Sequence, residues 1–418
     1  VLGAFAGGVS LDGVESIARN DLDVPTALET LLDAGLVTSA ATAAGEPRFG
    51  MLETIREYAL AKLETAGEAD DVHGRHLDYF LQLVDGALAV RARDPGRYER
   101  EVTALDRDNF RAALDHAAAS GDADALLALT AGLMEFWRTN GAIEEGRLRY
   151  LDAVARSAGA GARGRARALY GLALFTYIRG DVSASVEILD EHREDFELHL
   201  QPGDLARVLW LRAAAANILG EATLAEQLLD RTVALLDEEK DERVLGRVLC
   251  ALSETNRKLG NLDAAQRHAQ ASADIAGRVG DTEYRAFALV HLSSYALERG
   301  DVVAARESLA EALGTGRQLA DLETIAIALV FVAELAHRSA DDEVAARLLG
   351  ASHRTFHDVG PGRWEIEREY WEPLLAELDT GLGTGELERV RAEGERLEPD
   401  EGASLALDWL AGAQRRQP

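Results

Sequence analysis

Three arginines stand 40 residues apart in this chain, at Arg167, Arg207 and Arg247. Three residues after each, on the same face if the segment is helical, come Tyr170, Trp210 and Cys250. Further along the same segments lie Tyr177, Asn217 and Arg257. A ladder of guanidinium groups beside aromatic rings suits an acidic peptide, a carboxylate or a phosphate, because guanidinium offers paired donors to oxyanions. The competing reading is structural: each arginine pairs with a neighbouring segment's acids, which 73 Asp and Glu against 44 Lys and Arg make easy. Phe287 and Ile327 take the arginine slot in later segments, so the basic stripe covers only the first half.

Other chemistry has little support. There is no Gly-x-x-x-x-Gly-Lys-Ser/Thr, and none of the lysines (Lys62, Lys240, Lys258) follows a glycine, so the sequence carries no P-loop. The pairs His73/His76 and His353/His357 have helical spacings that suit metal chelation. Two ligands do not make a zinc site, however, and surface or core histidines are the better reading. With no Gly-x-Ser-x-Gly elbow, Cys/His couple or His-Glu-x-x-His, the chain is expected to be non-catalytic, without a metal or resident cofactor. Cys250 is the single cysteine, which excludes an intramolecular disulfide.

A net charge of −29 argues against nonspecific binding to nucleic acid or anionic membranes, since both require positive charge. No uncharged apolar run approaches ~18 residues and no basic leader precedes an apolar one, so the chain reads as cytoplasmic. It begins with Val1 inside an apolar segment and is expected to be a fragment or a truncated reading frame.

The elements that position the ladder repeat. Turns recur at Gly180-Asp181, Gly220-Glu221, Gly260-Asn261 and Gly300-Asp301, with Ala340-Asp341 next, each 40 residues on. A second set lies midway, at Gly203-Asp204, Lys240-Asp241, Gly280-Asp281 and Ala320-Asp321. Between them the sequence is Ala-, Leu-, Glu- and Arg-rich, so each unit predicts a helix pair. Seven residues before the Gly sit Ala173, Ala213, Ser253 and Ser293; five after it sit Ser185, Ala225, Ala265 and Ala305. Nine after it come Leu189, Leu229, Ala269 and Leu309. Small residues let helices approach, and the larger ones fill the next groove. This order resembles the tetratricopeptide repeat, with helices longer than its usual ~34-residue unit allows.

Residues 1–66 predict a separate unit: a helix over 13–19 with Ser10 or Asp12 as cap, and a second over 24–34 opened by Pro25. Strands over 36–40 and 47–51 flank a loop with Gly45, and a helix over 52–65 follows. Helix, helix, hairpin, helix is a winged-helix order. The phrases Phe5-Ala6-Gly7-Gly8-Val9-Ser10-Leu11, Leu31-Leu32-Asp33-Ala34-Gly35-Leu36-Val37 and Arg48-Phe49-Gly50-Met51-Leu52-Glu53-Thr54-Ile55-Arg56-Glu57-Tyr58-Ala59 resemble the winged-helix segment of bacterial STAND-type signalling ATPases. These are large regulators of the LuxR-like and AfsR/SARP-like kinds, and the resemblance covers essentially the whole chain.

That resemblance implies an upstream nucleotide-binding domain, with ATP or ADP bound there and not by this chain. In the family a Met-His-Asp phrase ends the hairpin and its His senses phosphate. Met51, Leu52 and Glu53 occupy that place here, and Leu52 has no donor for phosphate. Glu53 remains as an interdomain contact, or Met51 and Leu52 are core and Glu53 caps the next helix. Residues 1–66 carry four basic side chains against ten acidic ones, so this winged helix is a structural or switching module and not a DNA reader.

Residues 67–140 are helical but off the repeat register, with a break at Asp94-Pro95-Gly96 and with Phe136 and Trp137 packing onto the first repeat. After Ala340 the register decays through a helix over 344–356 and a turn at Val359-Gly360-Pro361-Gly362 into a C-terminal cap, with a frayed tail at Gln414-Arg415-Arg416-Gln417-Pro418. The expected fold is all-α: a right-handed tetratricopeptide-like solenoid (141–340) with an N-terminal winged-helix unit (1–66), a connector (67–140) and a helical cap (341–418). The function it implies is a regulatory sensor module that binds a protein, peptide or small anionic ligand in the groove. The alternative is a free-standing scaffold for protein assembly.

Overall fold

The computed structural model describes residues 1–19, 22–41, 47–90, 102–237, 241–360, 364 and 367–414. The Gly45 loop, the Asp94-Pro95-Gly96 break, Lys240, the Pro361-Gly362 turn and the tail at 415–418 lie outside them. The chain divides into two compact units, Val1–Phe175 and Thr176–Pro418.

The first unit opens with β1 (Val9–Ser10), α1 (Leu11–Ile17), α2 (Val24–Asp33), β2 (Thr38–Ala41), β3 (Pro47–Gly50) and α3 (Glu53–Ala66). Ser10 caps α1 by accepting from the Gly13 amide at 3.2 Å, and Asp23 caps α2 from the Thr26 amide at 3.3 Å. The hairpin begins later than the sequence predicts. Both the Leu36 and Val37 amides bond the Leu31 carbonyl, so the chain is still turning out of α2 there. A third strand also joins: β1 pairs antiparallel with β3, Val9 opposite Phe49, giving the order β1-β3-β2. Two residues are too short a run to leave a periodic signal.

α4 (Ala69–Val90), α5 (Arg107–Ser120), α6 (Ala123–Gly132), α7 (Met134–Thr139) and α8 (Ile143–Ala155) follow. Their core is a file of edge-on rings: Phe5 to His76 at 5.0 Å, Phe80 to Phe110 at 5.3 Å, and Phe110 to Phe136 at 5.3 Å. Buried Asn109 ties this core to the N-terminal turn. Its Oδ1 accepts from the Ala6 and Gly7 amides at 2.9 and 3.3 Å, and its Nδ2 donates to the Gly8 carbonyl at 3.2 Å. Arg48 completes the clamp with a 2.6 Å ion pair to Asp106.

α9 (Ala162–Ile178) carries the unit boundary within it. The second unit continues with α10 (Val182–Glu191), α11 (Arg193–His199), α12 (Pro202–Ile218), α13 (Ala222–Leu235), α14 (Glu242–Lys258) and α15 (Leu262–Arg278). Then come α16 (Thr282–Glu298), α17 (Val302–Leu319), α18 (Leu322–Arg338) and α19 (Asp342–Val359). From α12 onward each helix packs on the next, and first helices also touch first helices: α12 on α14, α14 on α16, α16 on α18. This is the serial stacking of an all-α solenoid of tetratricopeptide-like hairpins. Gly203 is not a turn: α12 starts at Pro202, an early position where a missing amide costs nothing.

The small residues sit where close approach needs them. Ala173, Ser185, Ala213, Ala225, Ser253, Ala265, Ser293 and Ala305 are all wholly buried. The rule outlasts its predicted decay, because Ala333, Ala345 and Leu349 hold the same places around Ala340 and are buried too. Gly180, Gly220, Gly260 and Gly300 end the first helices with φ of +92, +80, +77 and +78. Glycine takes this left-handed conformation freely, whereas Ala320 and Ala340 adopt it at φ +52 and +59.

The unit ends with α20 (Arg368–Leu382), α21 (Thr384–Gly394) and α22 (Pro399–Gln414). α21 crosses α19 backbone against backbone. A Cβ on Gly350 would fall 2.1 Å from the Arg391 carbonyl oxygen, and one on Gly394 would fall 1.9 Å from that of Arg347. Trp364 and Trp371 stack at 4.4 Å, and Trp371 donates its Nε1–H to the Trp364 carbonyl at 2.8 Å.

Ala340→Gly should stabilise the chain by about 0.5 kcal/mol in denaturant melts, since relief of about 1–2 kcal/mol of left-handed strain exceeds the added unfolded-state entropy. Gly350→Ala should destabilise it by about 2 kcal/mol or more, because backbone cannot yield as a side-chain tip can.

Candidate ligand-binding face

α14 and α16 are adjacent first helices of the second unit, and they carry a continuous polar face. At helical spacings α14 presents Arg243, Arg247, Cys250, Glu254 and Arg257, with Lys258 beside them. α16 presents Tyr284, Phe287, His291, Tyr295 and Glu298. Asp281, which caps α16 through the Tyr284 amide at 3.3 Å, takes ion pairs from Arg243 at 2.7 Å and Arg247 at 3.1 Å. Burial pushes its carboxyl upward, but the two arginines more than offset this and hold it below the ordinary aspartate range. The Arg247 guanidinium lies over the Tyr284 ring, 5.0 Å from its centre.

Farther along α14, Arg257 Nη2 reaches Glu254 Oε1 at 2.7 Å and Arg257 Nη1 reaches Glu298 Oε1 at 3.6 Å. A third acid arrives from α20. Glu369 places Oε2 3.1 Å from Arg257 and Oε1 2.6 Å from Lys258. Lys258 also donates to the Asn217 carbonyl at 3.0 Å. Tyr370 lies under the Arg257 guanidinium at 5.1 Å and meets Phe331 of α18 edge-on at 5.2 Å.

The titrating groups follow from these neighbours. Burial raises the Glu254 carboxyl, yet the Arg257 hydrogen bond and charge, then His291 and Lys258, bring it below its usual value. Burial lowers His291, whose Nδ1 stands 3.8 Å from Glu254. The Cys250 thiol, enclosed by apolar neighbours and repelled by Glu254, is pushed up to about 12, which removes it from thiolate chemistry at neutral pH.

The ladder residues are placed as follows. In the first unit Arg167 is exposed and Tyr170 half-buried; in the second, Tyr177 is half-buried. Arg207 is exposed, while Arg247 and Arg257 are engaged as described. Trp210 packs on the cluster around Ala213, Leu229 and Val248, with its Nε1–H buried and lacking an acceptor among the described residues. Asn217 is buried and donates to Thr255 Oγ1 at 2.8 Å. Sequence reasoning missed Glu254, Lys258, His291, Glu369 and Tyr370. Glu254 was findable as the i−3 partner of Arg257, and Lys258 as a rare lysine among arginines. Glu369 and Tyr370 lie over a hundred residues from their partners and left no local signal.

Elsewhere, Met51 is half-buried and Leu52 is 60% exposed as the N-cap residue of α3, so Leu52 is not core. Glu53 begins α3 without capping it and pairs with Arg56 at 2.7 Å, which holds its carboxyl low. His73 faces the His116 ring at 5.5 Å, and His353 Nδ1 lies 3.0 Å from Glu395. Among the described residues no group of three or more His, Cys, Asp or Glu side chains is placed to hold a metal ion. No helix among them is long and apolar enough to cross a membrane.

No protein-family model matches the chain. It is 36% identical over 151 residues to a Mycobacterium tuberculosis protein described as "Putative HTH-type transcriptional regulator", and equally to the Mycobacterium bovis counterpart. That stretch is 35% of this chain and only 17% of the relative's length. Among solved structures, the STAND protein with a tetratricopeptide-repeat sensor from Pyrococcus horikoshii matches 99% of this chain with a TM-score of 0.60. Identity is 16%, and the chain spans 63% of that protein. At that distance the likeness establishes the fold, a tetratricopeptide-like all-α solenoid.

The Glu254–Arg257 pair has low exposure on both sides, so Arg257→Gln should cost about 2–3 kcal/mol by leaving a largely buried carboxylate uncompensated. Adding Glu254→Gln should recover at least about 1 kcal/mol of it, a coupling read by a double-mutant cycle in urea.

Proposed function

We propose that this chain is the sensor and relay part of a STAND-type transcriptional regulator of the LuxR-like kind. In this reading residues 141–340 form the ligand-binding repeats, 341–418 their cap, 67–140 a connector, and 1–66 a winged-helix switch. The repeats bind a protein, a peptide or a small anionic ligand. Met51, Leu52 and Glu53 carry the contact to a nucleotide-binding domain that holds ATP or ADP, and the module itself does no chemistry. The compartment this implies is the cytoplasm.

The observation that carries the reading is the first-helix face. Arg207 stands exposed and unpaired among the described residues, beside a Trp210 whose indole N–H is buried without an acceptor. An orphaned donor of this kind costs about 1–3 kcal/mol unless something accepts from it. The exposed Arg207 guanidinium offers paired donors to a ligand oxyanion. The mycobacterial relative and the archaeal STAND protein support a regulatory setting, and the excess of acid over base in residues 1–66 supports a switch over a DNA reader.

Panning a library of displayed acidic heptapeptides against the full chain tests this. Enrichment is expected, and Arg207→Glu with Trp210→Ala should weaken the selected peptides at least tenfold while far-ultraviolet circular dichroism stays native. No enrichment, or binding indifferent to both substitutions, would contradict the reading.

A further inference from the structure

The α14–α20 contact has a feature that packing alone does not require. One carboxylate, Glu369, spends one oxygen on Arg257 and the other on Lys258, and the next side chain, Tyr370, fills the space between the Arg257 guanidinium and Phe331. Two cations sharing one carboxylate, with an aromatic wall beside them, suit an acidic residue followed by a tyrosine. We infer that Arg257, Lys258 and Phe331 form a binding site for an acidic peptide carrying a Glu-Tyr step, and that Glu369 and Tyr370 occupy it in cis as a displaceable mimic. This rests on the repeats being the ligand-binding part and names the site and ligand chemistry within that reading.

Three observations separate a mimic from a structural strut. First, α20 is anchored elsewhere. Trp371 stacks on Trp364, and Leu374 and Leu378 are buried in the core shared with α18 and α19. Glu369 and Tyr370 sit at the start of the helix, ahead of those anchors; Tyr370 also packs against that core, and Glu369 reaches its cations from the exposed side.

Second, the exposure is lopsided. Glu369 is 42% exposed whereas Arg257 and Lys258 are 16% and 17% exposed, so the cations are held in the wall and the carboxylate comes to them from the solvent side. The wall stays polarised without it: Glu254 is engaged by Arg257 at 2.7 Å and stands 3.8 Å from Lys258, whose short contact is to Glu369. Glu298 lies 3.6 Å from Arg257. Removing Glu369 therefore leaves Arg257 and Lys258 facing Glu254 and Glu298, with Lys258 keeping only its 3.8 Å pair to Glu254.

Third, the face continues. Lys258 donates to the Asn217 carbonyl, and Asn217 belongs to α12, the helix of Arg207 and Trp210. Asn217 Oδ1 is itself buried and unpartnered among the described residues. A ligand longer than two residues would run from the Glu-Tyr socket along this row toward the free guanidinium.

Cis occupancy weakens a competing ligand by the fraction of chains in which the socket is open, so a socket closed nine-tenths of the time lowers apparent affinity about tenfold. The probe is fluorescein-labelled Glu-Arg-Glu-Tyr-amide, the sequence of residues 367–370, titrated by anisotropy against the full chain. Glu369→Gln with Tyr370→Ala should bind it at least tenfold more tightly than the natural chain. Adding Lys258→Gln should cancel that gain, and raising salt should weaken binding to the opened variant. Should the double variant fold poorly, Glu369→Gln alone removes only an exposed carboxylate and should still gain about threefold. Equal affinity for the natural and opened chains, or a gain that survives Lys258→Gln, would overturn the proposal. So would the absence of binding to every variant. Peptides enriched by panning yet indifferent to Glu369 and Lys258 would sink this site alone, while a library that enriches nothing would sink the wider reading.

Discussion

Helix backbones in the second unit run closer together than large side chains allow, and that one requirement shapes most of the chain. It is met by small residues seven before and five after each cap glycine, buried without exception from Ala173 to Ala345. Alanine and serine at these places cost little side-chain entropy and leave no bulk between backbones, so leucines such as Leu229 and Leu309 can seat fully in the next groove. The cap extends the same device to its limit, with Gly350 and Gly394 bringing carbonyls of one helix against the other. A solenoid built this way has a first-helix face that is set by register, not by local sequence, and side chains there are free to be polar.

What occupies that face is mostly charge in balance. The chain has far more acid than base, so most guanidinium groups find a partner. Arg247 shares Asp281 with Arg243, and Arg257 shares itself among three glutamates. Pairs of this kind contribute little to stability at the surface and more where both members lose water, which is the situation at Glu254. Arg207, like Arg165 and Arg306, has no ion pair among the described residues.

The sequence made the repeats legible because their constraint is periodic. Gly-Asp turns and buried small positions leave a mark every 40 residues, strong enough to place Ser253 and Ala265 in the core before any coordinates. Three things escaped. The Val9–Ser10 strand exists only because β3 offers it an edge, and two residues carry no period. Asn109 looks like an ordinary helix polar residue, but its amide satisfies a turn a hundred residues away. The ladder arginines lie on first helices, yet nothing local indicates that Glu369 and Tyr370 return to Arg257, since pairing over such a separation is decided by the folded path of the cap.

On the proposed reading, the repeats recognise an acidic ligand and the cap holds a substitute for it in place. Hydrogen exchange across the full chain, with and without saturating Glu-Arg-Glu-Tyr-amide, tests that claim most directly. The account predicts that amides at the start of α20 exchange faster when the peptide is present, while those of α14 stay protected. Faster exchange throughout α14, or no change at α20 under saturating peptide, would contradict it.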